Sequence, residues 1–181
     1  MSDQEIGKKE GERIDLYPFL EAYQLATGEQ LSLSYDGESP DFICTRSNGR
    51  EVGIEMTMVM RDPRDAFWQR ILDRKGTMEP FEALVRIQGL IDQKEGLRRS
   101  RYTEDVKNTI LVLQLVDGSL YSLRFFLKDL KGEFDSHGFC EVWLADYSGR
   151  EAYGDIELFC LFPPDQWGFY QRPCPGRKPY G

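Results

Sequence analysis

The sequence predicts an α/β protein: a mixed central sheet flanked by helices, with an α-β-β-β-α-β core and extra strands toward the C-terminus. Three observations carry that expectation. Asn48-Gly49 sits between two strand-like runs, the strongest short signal for a hairpin. "NTILVLQLVD" is almost wholly aliphatic, as a strand covered on both faces must be. A long helical pattern precedes that strand, which gives the crossover that a parallel neighbour needs.

The elements follow in order. "RIDLYPFLEAYQLATG" reads as a helix: Leu16, Phe19, Leu20 and Tyr23 recur at helical spacing and Gly28 is a natural stop. "LSLSY" alternates as a strand and ends in the turn "DGESP"; "DFICT" and "EVGIEMTMVM" are the next two strands, joined by "SNGR". "RDPRDAFWQRILDRK" opens helical structure, Gly76 interrupts it, and Thr77 with Pro80 marks a fresh start for a helix running past Lys94. After the aliphatic strand come an amphipathic helix in "SLYSLRFFLKDLKGEF" and two late strands, "FCEVWLADY" and "DIELFCLFPP". We expect residues 1–12 to be loose, residues 13–165 to form one α/β domain, and the Pro- and Gly-rich residues 166–181 to be irregular.

Composition narrows the function classes. The 181 residues are 40% hydrophobic and 30% charged, as in ordinary globular proteins. No apolar run approaches the roughly 20 residues of a membrane span, and the polar N-terminus is not a secretory signal, so the expected location is the cytoplasm without a membrane partner. Cys44, Cys140, Cys160 and Cys174 include no C-x-x-C pair, and with a lone histidine, His137, they argue against structural zinc and against a protease-like triad. Three of the cysteines lie in strand-like runs and read as small buried residues. A net charge of −8 argues against a broad nucleic-acid surface and leaves only a local basic patch, Arg98, Arg99 and Arg101, whose plainer reading is a solvated helix end.

Two carboxylates stand out. Asp41 follows a proline at the start of one strand, and Glu55 lies inside the apolar run of the next. Facing side chains on antiparallel neighbours are about 5 Å apart, so the two can share one hard divalent cation. A carboxylate in an apolar strand is costly unless paired or coordinated. The plain alternative makes Asp41 a turn residue and puts Glu55 on a wet face.

Pro40-Asp41, Glu55-Met56-Thr57 and the element order around them resemble the PD-(D/E)XK nuclease superfamily, the restriction-endonuclease-like fold, over roughly residues 13 to 117. The resemblance implies Mg²⁺-dependent hydrolysis of DNA or RNA, with Mn²⁺ as a substitute, Asp41 and Glu55 as metal ligands, and Glu21 on the first helix as a third. Thr57 departs from the pattern: it stands where the family's motif carries a lysine that orients the attacking water. Lys94 is the best replacement. It falls within roughly 40° of the centre of the apolar stripe set by Leu84, Ile87, Leu90 and Ile91. Lys75, Gln69 and Gln93 are weaker candidates. Two readings follow, a nuclease and a degenerate nuclease-fold domain that binds a protein partner or regulates one; an unrelated α/β binding protein is the third. Removing either of two facing carboxylates is expected to raise stability when no metal is bound.

Overall fold

The computed structural model describes residues 3–60, 80–101, 108–149 and 155–170. In chain order the elements are α1 (Asp3–Thr27), β1 (Leu31–Asp36), β2 (Phe42–Arg46), β3 (Glu51–Val59), α2 (Pro80–Arg101), β4 (Thr109–Leu115), α3 (Leu120–Leu127), β5 (Glu141–Asp146), β6 (Glu157–Phe162) and β7 (Gly168–Tyr170). The seven strands form one sheet and lie side by side in chain order. β3, β4 and β5 are parallel, and every other pair is antiparallel. Parallel neighbours cannot be joined by a tight turn, so the chain crosses over through α2 and then α3. β3 lies between the "FICTR" strand and the buried aliphatic strand, as the sequence predicts.

The sheet divides the core in two. Ile110 and Val112 of β4 pack with Leu16, Phe19 and Tyr23 of α1, while Leu111, Leu113 and Leu115 pack with Ile87 and Ile91 of α2 and Leu120, Leu123 and Leu127 of α3. All seven residues of β4 are buried, which explains its aliphatic run.

Two turns fix the strands that matter most. In the β2–β3 hairpin Gly49 has φ of 81° and donates its N–H to the Arg46 carbonyl at 2.9 Å, a conformation that disfavours any side chain. In the β1–β2 turn Gly37 lies so close to Pro40 that a Cβ would sit 2.1 Å from the Pro40 carbonyl oxygen. Its N–H bonds the Asp41 carbonyl at 2.8 Å, which sets the direction in which Asp41 leaves the turn.

Two expectations change. The first helix begins at Asp3, so residues 3–12 are helical rather than loose. Glu, Lys and Gln are strong helix formers. The segment is also tied down: Lys9 pairs with Glu12 at 3.0 Å and donates to the Gly37 carbonyl at 2.7 Å. Within the expected irregular tail, Gly168–Tyr170 adds a seventh strand to β6. Trp167 anchors it by packing edge-on against Phe159 at 5.1 Å, a tertiary contact that overrides the weak strand signal of "GFY". The helix expected around residues 61–75, and residues 171–181, lie outside the described residues.

Candidate active site

β2 pairs with β3 only as far as Phe42 opposite Ile54, whereas β3 runs on to Val59. Beyond Ile54 the β2-side edge of β3 is therefore open. Asp41, one register step before Phe42, turns its carboxylate across this gap, and Oδ2 accepts the Met56 N–H at 2.8 Å. The same step sets Asp41 beside Glu55. Since Ile54 belongs to the core on the α1 side, alternation points Glu55 toward α2. There Lys94 donates to Glu55 Oε1 at 2.6 Å, with Glu55 only 6% exposed.

Asp41, Met56 and Lys94 border a cleft of about 720 Å³ between the first half of α1 and the carboxyl ends of β3 and β4. Asp41, Thr57 and Lys94 line it together with Met56, Met58 and Gln114. Crevices at the carboxyl ends of parallel strands are where α/β sheets bind ligands. The structure thus brings Asp41, Glu55, Thr57 and Lys94 to one place.

Glu21 does not join them. It lies on the exposed side of α1, away from the cleft lining. The helical acids that face the cleft are Glu12 and Asp15. Gln93 is exposed on α2; Lys75 and Gln69 lie outside the described residues. Of the basic patch, Arg99 pairs with Glu95 at 2.6 Å and is itself 73% exposed, while the side chains of Arg98 and Arg101 are not among those described. Cys44, Cys140 and Cys160 are free, and burial pushes their thiols up, to about 12, 11 and 12, as suits inert small core residues.

Electrostatics distinguish the two carboxylates. Burial, and after it the nearby charge of Glu55, pushes the Asp41 carboxyl up to about 6, against the opposing pull of the Met56 N–H and Lys94. The folded protein therefore keeps a proton that the unfolded chain releases, so stability falls as pH rises from about 4 to about 6 and is level above that. Asp41→Asn keeps an acceptor for the Met56 N–H and removes the charge. Without metal it should be more stable than the wild type by up to about 3 kcal/mol above pH 6, a gain that vanishes near pH 4. Denaturant titrations at several pH values in EDTA test this; equal stability at pH 7.5 would remove the strained carboxylate from the account. For Glu55 the expected gain reverses. The ion pair with Lys94 offsets its burial, and deleting Glu55 strands a cation that is mostly buried.

Asp41 and Glu55 present hard oxygen donors from adjoining strands, beside room for water and a phosphate, and this is the donor chemistry Mg²⁺ takes. Among the described residues no three Asp, Glu, His or Cys side chains come together as a metal-holding group, so most of a cation's shell here would be water and substrate. Also among the described residues, no helix is long and apolar enough to cross a membrane.

A second polar cluster, at the opposite end of the sheet, was not visible in the sequence. Glu141 on β5 accepts from Arg46 at 2.8 Å, from Tyr23 at 3.1 Å and from Trp143 Nε1 at 2.8 Å, and Arg46 also pairs with Glu29. Burial and Glu141 raise the Tyr23 hydroxyl well above its ordinary value.

Comparison of the chain with family models, with curated proteins and with solved structures finds no match.

Proposed function

We propose that the cleft hydrolyses phosphodiester bonds of nucleic acid with Mg²⁺, or Mn²⁺ in its place, on a fold of the restriction-endonuclease-like type. The observation that carries this reading is that Asp41 and Lys94 line one cleft while Lys94 holds Glu55 just behind it, two carboxylates and one cation drawn from three separate elements. A bound Mg²⁺ would neutralise phosphate charge and lower the pKa of a water. The chain's own residues do the rest. Asp41 and Glu55 are the residues that would hold the cation. Lys94, already on Glu55 Oε1, is placed to donate to a water or a phosphate oxygen and to steady charge as it develops. The Thr57 hydroxyl can donate one hydrogen bond on the same side but adds no charge. The three described cysteines are free thiols, in keeping with a reducing compartment, so the reading sets the reaction in the cytoplasm.

A degenerate domain that binds a protein partner is the second reading. Thr57 in place of the motif lysine and the net charge of −8 favour it. Labelled single- and double-stranded DNA and RNA, offered to the full chain in Mg²⁺, Mn²⁺ or EDTA, separate the two. The expected result is cleavage that needs metal and falls about 10²-fold or more in Asp41→Asn. No cleavage of any substrate in either metal would give the domain to the second reading.

A further inference from the structure

β4 reads "TILVLQL": one polar side chain in an aliphatic strand. Gln114 is 4% exposed and stands level with Met58 on β3 and Ala145 on β5, on the α1 side of the sheet. A buried amide in such a place normally has its hydrogen bonds made by neighbours. Among the described residues none bonds the amide of Gln114. Nor is it sealed into the core, because Gln114 forms part of the wall of the cleft. A donor and an acceptor thus stand at the foot of a ligand-sized space with no hydrogen-bond partner among the described residues.

The chemistry of the walls says what meets them. The α1 wall carries Glu12 and Asp15, which repel phosphate, while Lys94 enters the cleft from α2, which packs on the other face of the sheet, and is held there by Glu55. Beside Gln114 on the same face of the sheet stand Met58 and Met56, and thioethers pack well against aromatic rings. A flat, neutral heterocycle suits that half of the cleft, and an amide matches a ring edge that presents an acceptor beside a donor. Only a group inserted edge-on reaches an amide so deeply buried, so a base still paired in a duplex is excluded.

We propose that Gln114 reads one unpaired nucleobase of a single-stranded nucleic acid, with the neighbouring phosphodiester at Asp41, Glu55 and Lys94. The proposal rests on the nuclease reading, and the test separates them. Fluorescent homo-oligonucleotides of A, C and T are titrated with the full chain in Ca²⁺ and in EDTA, and the same strands are offered for cleavage in Mg²⁺. The wild type should bind one base at least about ten-fold more tightly than the weakest. Gln114→Leu should narrow that spread to within about three-fold, while its thermal midpoint stays level or rises, since no internal hydrogen bond is lost. Gln114→Met, of closer length and volume, serves if the leucine variant does not fold. A wild type that binds none of the strands, or binds all alike, overturns the proposal, as does a spread that survives both substitutions. Base-dependent binding lost with Gln114 but with no cleavage in Mg²⁺ supports base reading and rejects the nuclease. Cleavage without base preference does the reverse.

Discussion

Lys94→Met is expected to lower metal-dependent cleavage by about 10²-fold or more while leaving the metal bound at least as tightly as in the wild type. Methionine keeps the apolar stem that packs along α2 and removes only the ammonium. That ammonium lies 2.6 Å from Glu55 Oε1, so it competes with a cation for the same oxygen. It is also one of the groups holding Asp41 down; without it the Asp41 carboxyl moves further above about 6. In EDTA at pH 7.5 the variant then faces two inward carboxylates with no cation between them, and should lose about 3 kcal/mol. Mg²⁺ should restore more stability to the variant than it adds to the wild type, because binding to the folded state alone stabilises it. Thermal unfolding with and without Mg²⁺ reads this second effect independently of catalysis. A variant that cleaves like the wild type would remove Lys94 from the chemistry. One that unfolds like the wild type in EDTA would mean the ion pair contributes nothing. Thr57→Lys on the Lys94→Met background asks whether a charge two residues along β3, on the same face, serves as well.

What the sequence showed of this site depended on local signals. Lys94 could be found because helical phase alone turns it toward the sheet. The Asn48-Gly49 hairpin could be found because its turn is encoded in adjacent residues, and it sets β2 beside β3 with Phe42 opposite Ile54 and Asp41 next in line beside Glu55 and Met56. Helical phase also explains why Glu21 lies outside the cleft lining and Glu12 within it. Relative to the stripe of Leu16, Phe19, Leu20 and Tyr23, Glu21 points about 150° away, while Glu12 lies about 30° from its centre. Glu12 lies just before the point at which the sequence pattern predicts the helix to begin. Gln114 carried a visible signal, a lone polar residue in an aliphatic strand, but spacing alone cannot distinguish a satisfied amide from an unmet one. The short β7 had only a weak local signal, and the cluster around Glu141 had none. Arg46 and Glu141 are 95 positions apart, and only the parallel order of β3, β4 and β5 brings them together.

That cluster carries the largest stability effect we expect: Arg46→Met should cost about 3–5 kcal/mol. Domains of this size have about 5–15 kcal/mol in all, so the variant should sit near the edge of folding. The charge removed is the one that balances Glu141, which is 8% exposed and cannot turn to solvent. Tyr23 and Trp143 still donate to it, but neutral donors do not replace a guanidinium. If desolvation of an unbalanced charge causes the loss, removing both charges should restore most of it. Arg46→Met with Glu141→Gln keeps an acceptor for Trp143 and should recover at least half of the stability lost in the single variant. If lost packing of the arginine stem were the cause, the double variant would be no better than the single one. The cluster also joins the end of α1 to β2 and β5, and the beginning of α1 forms the acidic wall of the cleft. Amide exchange in α1 should therefore quicken from Tyr23 back toward Glu12 in Arg46→Met and slow again in the double variant. Exchange confined to the residues around Tyr23 would show that the two ends of α1 are held independently, the far one by Lys9 and Arg13 on the β1–β2 turn.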